Sequence, residues 1–260
     1  MEMSGNTILI TGGTSGIGLA LATKFLELHN TVIVTGRNQD KLDETKKKLS
    51  NVHTIRSDAS DPKAIVALFE QVTKDFPDLN ILVNNAGIMR KINLHDEGGD
   101  LADITREIDI NLSAPIHLVK QFLPHLKSKP AAAIINVSSG LAFVPLPISP
   151  VYCATKAGLH SFTESLRVQL KHTKVKVFEL APPATETKLL RGEFASADLG
   201  DVKTMDVNVL ADHAINGLRK DVLEIRPGQA NALKFMSRFA PGFILKQLAK
   251  SADLMLAQKK

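Results

Sequence analysis

A doubly wound α/β fold, a seven-stranded parallel sheet with helices on both faces in a single domain, is predicted by three observations. Short runs rich in Val, Ile and Leu alternate with longer amphipathic segments from the start of the chain to about residue 227. The runs are apolar throughout, as strands covered on both faces must be. A glycine-rich turn separates the first run from the first amphipathic segment. The 260 residues are enough for one such unit with a sizeable core.

In chain order the strands fall at Asn6–Ile10, Thr31–Thr35, Val52–Arg56, Ile81–Val83, Ala132–Val137, Val175–Leu180 and Val222–Ile225. The helices between them are Ile17–Leu28, Gln39–Leu49, Pro62–Phe76, Leu101–Lys127, Val151–Lys171 and Val207–Lys220. In the third, Ile65, Leu68, Phe69 and Val72 recur at helical spacing behind Asp61-Pro62, an N-cap followed by proline in the first turn. Two segments break the rhythm. Residues 183–206 are polar and contain glycine, which predicts a substrate loop with a short helix inside a catalytic domain of residues 1–228. Residues 229–260 carry Phe235, Phe239 and Phe243 and read as a C-terminal helical extension. That tail can pack on the domain, join copies of the chain or lie on a membrane surface, in that order of preference, because Pro241-Gly242 interrupts any single amphipathic helix.

Composition excludes several classes. A hydrophobic share of 44% and a charged share of 23% describe a globular chain and not a disordered one. The apolar runs stop at five or six residues, far short of a membrane span. Cys153 is the single cysteine, so no internal disulfide and no cysteine-rich metal site can form, and a reducing cytoplasm is expected. The N-terminal residues lack the basic start and apolar run of a secretory leader. The net charge of +5 is spread along the chain and favours a small anionic ligand over nucleic acid. The eight histidines show no ligand-like spacing with carboxylates, and no metal site is expected.

The turn after the first strand reads Thr11-Gly12-Gly13-Thr14-Ser15-Gly16-Ile17-Gly18. Gly12, Gly16 and Gly18 permit a tight turn and a close approach of backbone N–H groups to a diphosphate, which then sits at the positive end of the following helix. Thr14, Ser15 and Ile17 complete the predicted phosphate cradle. At the end of the second strand, where an acid would read an adenosine ribose, stands Thr35-Gly36-Arg37-Asn38. Arg37 can pair with a 2′-phosphate or stack on adenine, so NADP(H) is favoured over NAD(H).

Tyr152 and Lys156 lie four apart in a predicted helix and share a face. A tyrosine with an ordinary pKa near 10 is a poor acid–base at neutral pH, and an adjacent ammonium draws it toward the working range. Ser139 closes the fifth strand and Asn84-Asn85-Ala86-Gly87 closes the fourth, which places both beside this pair.

With these motifs in this order, the sequence resembles the short-chain dehydrogenase/reductase family, in its single-domain form of about 250 residues. The resemblance covers residues 5 to about 227, and the string Leu180-Ala181-Pro182-Pro183-Ala184-Thr185-Glu186-Thr187 is similar to the DltE-like bacterial branch. It implies Tyr152 as general acid–base, Lys156 on the nicotinamide ribose, Ser139 on the substrate oxygen and Asn111 completing a proton relay. It implies Asp58 and Ala59 at adenine, Asn84, Ala86 and Gly87 along the adenosine ribose, and Pro182, Thr185 and Thr187 at the carboxamide. Where the family carries Pro-Gly, this chain has Pro182-Pro183, which implies a stiffer loop.

The activity expected is hydride transfer between NADP(H) and a small apolar carbonyl or alcohol, bordered by Met89, Leu141, Phe143, Pro145, Leu189, Leu190 and Phe194. The alternative is a nucleotide-binding regulatory or accessory protein without turnover. By the same resemblance the chain forms a homodimer or homotetramer through Leu101–Lys127 and Val151–Lys171.

Overall fold

The structure is a computed structural model and describes residues 1–96, 100–187, 189, 194 and 203–257. Seven parallel strands stand in the order β3-β2-β1-β4-β5-β6-β7. They are β1 (Thr7–Thr11), β2 (Thr31–Gly36), β3 (His53–Arg56), β4 (Leu79–Asn84), β5 (Ala132–Val137), β6 (Val175–Leu180) and β7 (Glu224–Ile225). All seven expected strands form, β5 and β6 with the expected ends and the others with ends displaced by at most two residues. β7 is shortened because Val222 and Leu223 are exposed beside Asp221, whose φ is +55°.

Period-two alternation sends neighbouring residues of each strand to opposite faces. Ile8, Ile10, Val32, Val34 and Val83 join one core under α1 (Gly16–Glu27) and α8 (Val207–Arg219). Leu9, Ile33, Leu82 and Ile134 join a second core under α3 (Pro62–Asp75), α6 (Ala114–Lys127) and α7 (Pro150–Leu170). The central strands β1, β4 and β5 therefore have an apolar layer on each face, which is why their runs are nearly continuously hydrophobic, while the edge strand β3 keeps His53 and Arg56 exposed.

Helix starts follow their caps. Asn38 accepts from Lys41 N at the head of α2 (Gln39–Lys48), and Asp61 accepts from Lys63 N at the head of α3. Asp206 does the same for α8 through the amides of Asn208 and Val209. The helix expected over Leu101–Lys127 is divided into α4 (Leu101–Ile104), α5 (Arg106–Ile108), a π-turn at Asp109–Ser113 and then α6. Asn111 lies inside the π-turn and bonds both backbone groups of Ile88, and π-turns recur where a helix gives up regularity at such a contact.

The tail forms α9 (Gln229–Phe239) and α10 (Pro241–Ala257), parted at Ala240-Pro241. Leu248, Ala252 and Met255 of α10 pack on a cluster that contains Met89, Leu146, Tyr152 and Phe194. Phe235, Phe239 and Phe243 stay exposed. Most of the expected loop over 183–206, including Leu190, lies outside the described residues, as do the last three residues of the tail. Among the described residues no helix is long and apolar enough to cross a membrane.

Candidate active site

The strand order reverses between β1 and β4, and the crevice outside the carboxyl ends of those strands is where an α/β sheet takes a ligand. A cleft of about 830 Å³ opens there, from Arg37 at one end, past the turn of Gly12 to Ile17, to Tyr152 at the other.

The turn is closed by sterics on every side. Gly12 has φ +67°, and a Cβ there would stand 2.9 Å from the Ala86 Cα. Asn85, from the end of β4, donates through Nδ2 to the Thr11 and Gly12 carbonyls, and Thr11 Oγ1 accepts from the amides of Asn85 and Ala86. At the head of α1 no side chain caps the first N–H groups. Those donors, the glycine approach and two cations suit a bound diphosphate nucleotide. The cations are Arg37 and Lys41, which line the same end of the cleft. Arg37 Nη1 lies 4.0 Å from the Asp58 carboxylate. Partial burial opposes the Asp58 charge, but hydrogen bonds from Ser60 and the nearby guanidinium groups of Arg37 and Arg106 hold its carboxyl below the usual range.

Most of the residues expected at the cofactor share this cleft: Thr14, Ser15, Gly16, Asp58, Ala59, Ala86, Gly87, Pro182, Thr185 and Thr187 all border it. Two do not. Asn84 is buried, and its Nδ2 donates to Asn136 Oδ1 at 2.8 Å, so its side chain ties β4 to β5 and Asn85 stands at the cleft in its place. Gly18 faces the turn from behind, where a Cβ would meet Asn85 Nδ2 and the Gly12 carbonyl. In the loop that begins at Pro182-Pro183, the Pro182 carbonyl accepts from Gly140 N and the Pro183 carbonyl from Thr185 Oγ1, both at 2.8 Å.

At the other end Tyr152, Lys156 and Ser139 converge. All three are buried and border the same cleft, and the Ser139 hydroxyl lies near enough to the Tyr152 phenol to favour its ionised form. Lys156 Nζ donates to the Val137 carbonyl at 2.9 Å and lies 5.6 Å from the centre of the Tyr152 ring. Burial pulls the Lys156 ammonium down to about 8, while the Glu179 charge works in the opposite direction. The phenol of Tyr152 moves the other way from the sequence expectation: burial pushes it well above its ordinary value, Cys153 and Glu107 add to the rise, and only the neighbouring Ser139 hydroxyl opposes it. The physical reason is desolvation: the phenol is buried beside a lysine that is itself desolvated and donates to a carbonyl, so burial outweighs the neighbouring charge.

Asn111 sits behind this group, fully buried. Its Nδ2 donates to the Ile88 carbonyl at 2.8 Å, its Oδ1 accepts from Ile88 N at 2.9 Å, and Nδ2 also reaches Thr155 Oγ1. A Cβ on Gly87 would lie 3.2 Å from Asn111 Oδ1 and 3.7 Å from Lys156 Nζ, so the three residues are immediate neighbours.

The chain belongs to the short-chain dehydrogenase/reductase family. The family described as short chain dehydrogenase matches residues 6–198. The oxidoreductase DltE of Bacillus subtilis, described as uncharacterized, is 51% identical over 189 residues, which span 73% of this chain and 75% of that one. A short-chain dehydrogenase from Burkholderia cenocepacia in complex with NADP superposes with a TM-score of 0.81 at 24% identity, over 95% of this chain and 99% of its own. A second, from Burkholderia phymatum in complex with NAD, gives 0.79 at 21% identity over 90% and 93%. As a short-chain dehydrogenase/reductase the chain is an oxidoreductase with a Rossmann-like fold.

The sequence left three features of this short-chain dehydrogenase unassigned. Lys41 could have been found from its place in the first turn of a helix capped by Asn38, one turn beyond Arg37. Leu233, Met236, Ile244 and Leu248 of α9 and α10 border the cleft, and no local signal ties so distant a tail to the site. Cys153 is buried, and its Sγ accepts from Leu146 N at 3.2 Å. Burial pushes its thiol up to about 11. Its alkylation by iodoacetamide in the native protein is expected to be about a hundredfold slower than that of an exposed cysteine, and mass spectrometry of timed samples measures the ratio.

Proposed function

We propose that the protein is an NADP(H)-dependent oxidoreductase that moves hydride between the nicotinamide and the carbonyl carbon of an apolar substrate, with Tyr152 as the general acid–base. The convergence of Tyr152, Ser139 and Lys156 at the apolar end of a cleft whose other end holds Arg37 and Lys41 carries this reading. When bound, the nicotinamide supplies the hydride; the rest of the chemistry falls to side chains. Met89, Leu141, Leu146 and Leu248 exclude water and receive the apolar part of the substrate. Tyr152, kept neutral by burial, is charged with a proton and suited to give it to a carbonyl oxygen that the Ser139 hydroxyl also touches. Lys156 offers a buried ammonium to the phenolate left behind. Asn111 fixes the backbone at Ile88 and borders Lys156 through Gly87, on the side from which the proton would be restored.

NADP(H) is preferred over NAD(H) on the strength of Arg37 and Lys41, which present two cations and only the partly compensating Asp58. Arg37→Ala is expected to weaken NADPH binding about 10- to 100-fold and to change NADH binding by less than about threefold. Fluorescence titration of both nucleotides measures this, and equal affinity of the unaltered protein for the two would refute the preference. The catalytic domain of residues 1–228, the extension of residues 229–260 that closes its apolar end, cytoplasmic residence and assembly of copies through the helices around α6 and α7 complete the proposal.

A further inference from the structure

A buried acid beneath the serine end of the site takes no part in the chemistry above. Glu179, on β6 opposite Asn136 of β5, has no exposure to solvent. Its Oε1 accepts from Ser138 Oγ at 2.5 Å, and its Oε2 lies 2.8 Å from His160 Nδ1. A carboxylate removed from water stays ionised only where charge-assisted hydrogen bonds and cations replace that water. Both partners here are attached to the site. Ser138 stands between Val137, whose carbonyl accepts from Lys156, and Ser139. His160 is one turn beyond Lys156 and two beyond Tyr152 on α7. Glu179 thus clips the strand end that bears the serines to the helix that bears Tyr152 and Lys156.

The charges around it are balanced. On α7, Arg167 comes within 3.9 Å of Glu179, and Glu164 lies 3.6 Å from His160 Nε2. From β7, Glu224 brings a carboxylate oxygen within 4.8 Å of both Glu179 and His160. Glu224 is itself met by Lys234 of α9 at 2.5 Å and by Arg226 at 2.7 Å. Phe143 packs edge-on against His160 and lies under Lys234. The hydrogen bond to Glu179 holds His160 above its ordinary pKa. His160 and the two carboxylates lie far apart in sequence, which is why residue spacing gave no sign of them. With Lys234, Arg226 and Arg167 already neutralising the acids, the group is an ion-pair network and not a cage for a divalent cation.

Resting on the reading of Tyr152, Lys156 and Ser139 as the reacting group, we propose that Glu179 is a positioning residue of the reaction. Its carboxylate locks Ser138, and with it Ser139 and the Val137 carbonyl that accepts from Lys156, to α7 through His160. The direction of the pH effect follows. Lys156 loses its proton as pH rises through about 8, and Glu179 opposes that loss. Removing the charge moves the loss to lower pH.

The test is kcat for NADPH-dependent reduction of an apolar aldehyde as a function of pH, in the full-length protein and in Glu179→Gln, Ser138→Ala and Tyr152→Phe. Glu179→Gln keeps an acceptor for Ser138 but not the charge, and its alkaline limb is expected about one pH unit lower than that of the unaltered protein. Ser138→Ala keeps the charge, so its limb stays in place while kcat falls about tenfold and NADPH affinity is retained. A Glu179→Gln profile that superimposes on the unaltered one overturns the inference. If Glu179→Gln does not fold, Ser138→Ala decides: unaltered kcat overturns the positioning role, and lowered kcat with retained NADPH affinity supports it. Full activity in Tyr152→Phe would instead sink the catalytic reading itself, so the two failures are told apart.

Discussion

Replacing Tyr152 by Phe should lower kcat about a thousandfold while leaving NADPH affinity within about threefold of its starting value. The substitution removes one oxygen from a buried ring that packs with Met89, Leu146 and Cys153, so the apolar contacts survive and only the proton donor beside Ser139 is lost. Steady-state reduction assays with nucleotide titration separate the two quantities. Turnover that persists with unchanged nucleotide binding would leave an accessory, nucleotide-binding role in place of the enzyme. The chain has one tyrosine and no tryptophan, so the near-ultraviolet phenol signal belongs to Tyr152 alone. Because burial raises that phenol, the phenolate band of the folded protein should appear only well above pH 10, the ordinary tyrosine value. A spectrophotometric titration with a midpoint at or below pH 10 would contradict the neutral, proton-loaded tyrosine on which the reductive direction depends.

Much of this arrangement was legible because it is local. Apolar runs and helical spacing located seven strands, since the central strands are buried on both faces and the two cores take alternate residues. The glycine turn was legible for the same reason, its geometry being written into consecutive residues. What escaped was set by tertiary contact. Asn84 and Asn85 are adjacent and chemically identical, and only strand pairing decides that Asn84 turns toward Asn136 while Asn85 holds the turn. The break before α6 contains Asn111, which bonds both backbone groups of Ile88, 23 residues away, a contact no helical periodicity records. The Tyr152 phenol was expected to fall because spacing places an ammonium beside it. Spacing carries no information on desolvation, which here outweighs charge. The contribution of α9 and α10 to the apolar end of the cleft likewise depends on a fold-level return of the chain.

Gly18 is the position where the smallest chemical change should have the largest effect on both folding and binding. A Cβ there would stand 2.4 Å from Asn85 Nδ2 and 2.5 Å from the Gly12 carbonyl oxygen. Neither atom can retreat cheaply. Asn85 Nδ2 is held by the Thr11 and Gly12 carbonyls at 2.9 and 3.1 Å, and Gly12 is pressed against Ala86 in a left-handed conformation. Gly18→Ala must therefore push the turn away from β4 or shift α1 outward from its core. Either movement costs about 1–3 kcal/mol by comparison with overpacked cores, a fall in Tm of roughly 2–12 °C for a domain of this size. It also displaces the backbone N–H groups at the head of α1, whose value to a diphosphate depends on close approach. NADPH affinity should fall at least about a hundredfold, a loss larger than that expected from Arg37→Ala, because the change disturbs the shared cradle and not one phosphate contact. NADH should suffer equally. Differential scanning calorimetry and nucleotide titration on Gly18→Ala test the two halves separately, and an unaltered Tm with unaltered binding would show that the turn yields where its contacts say it cannot.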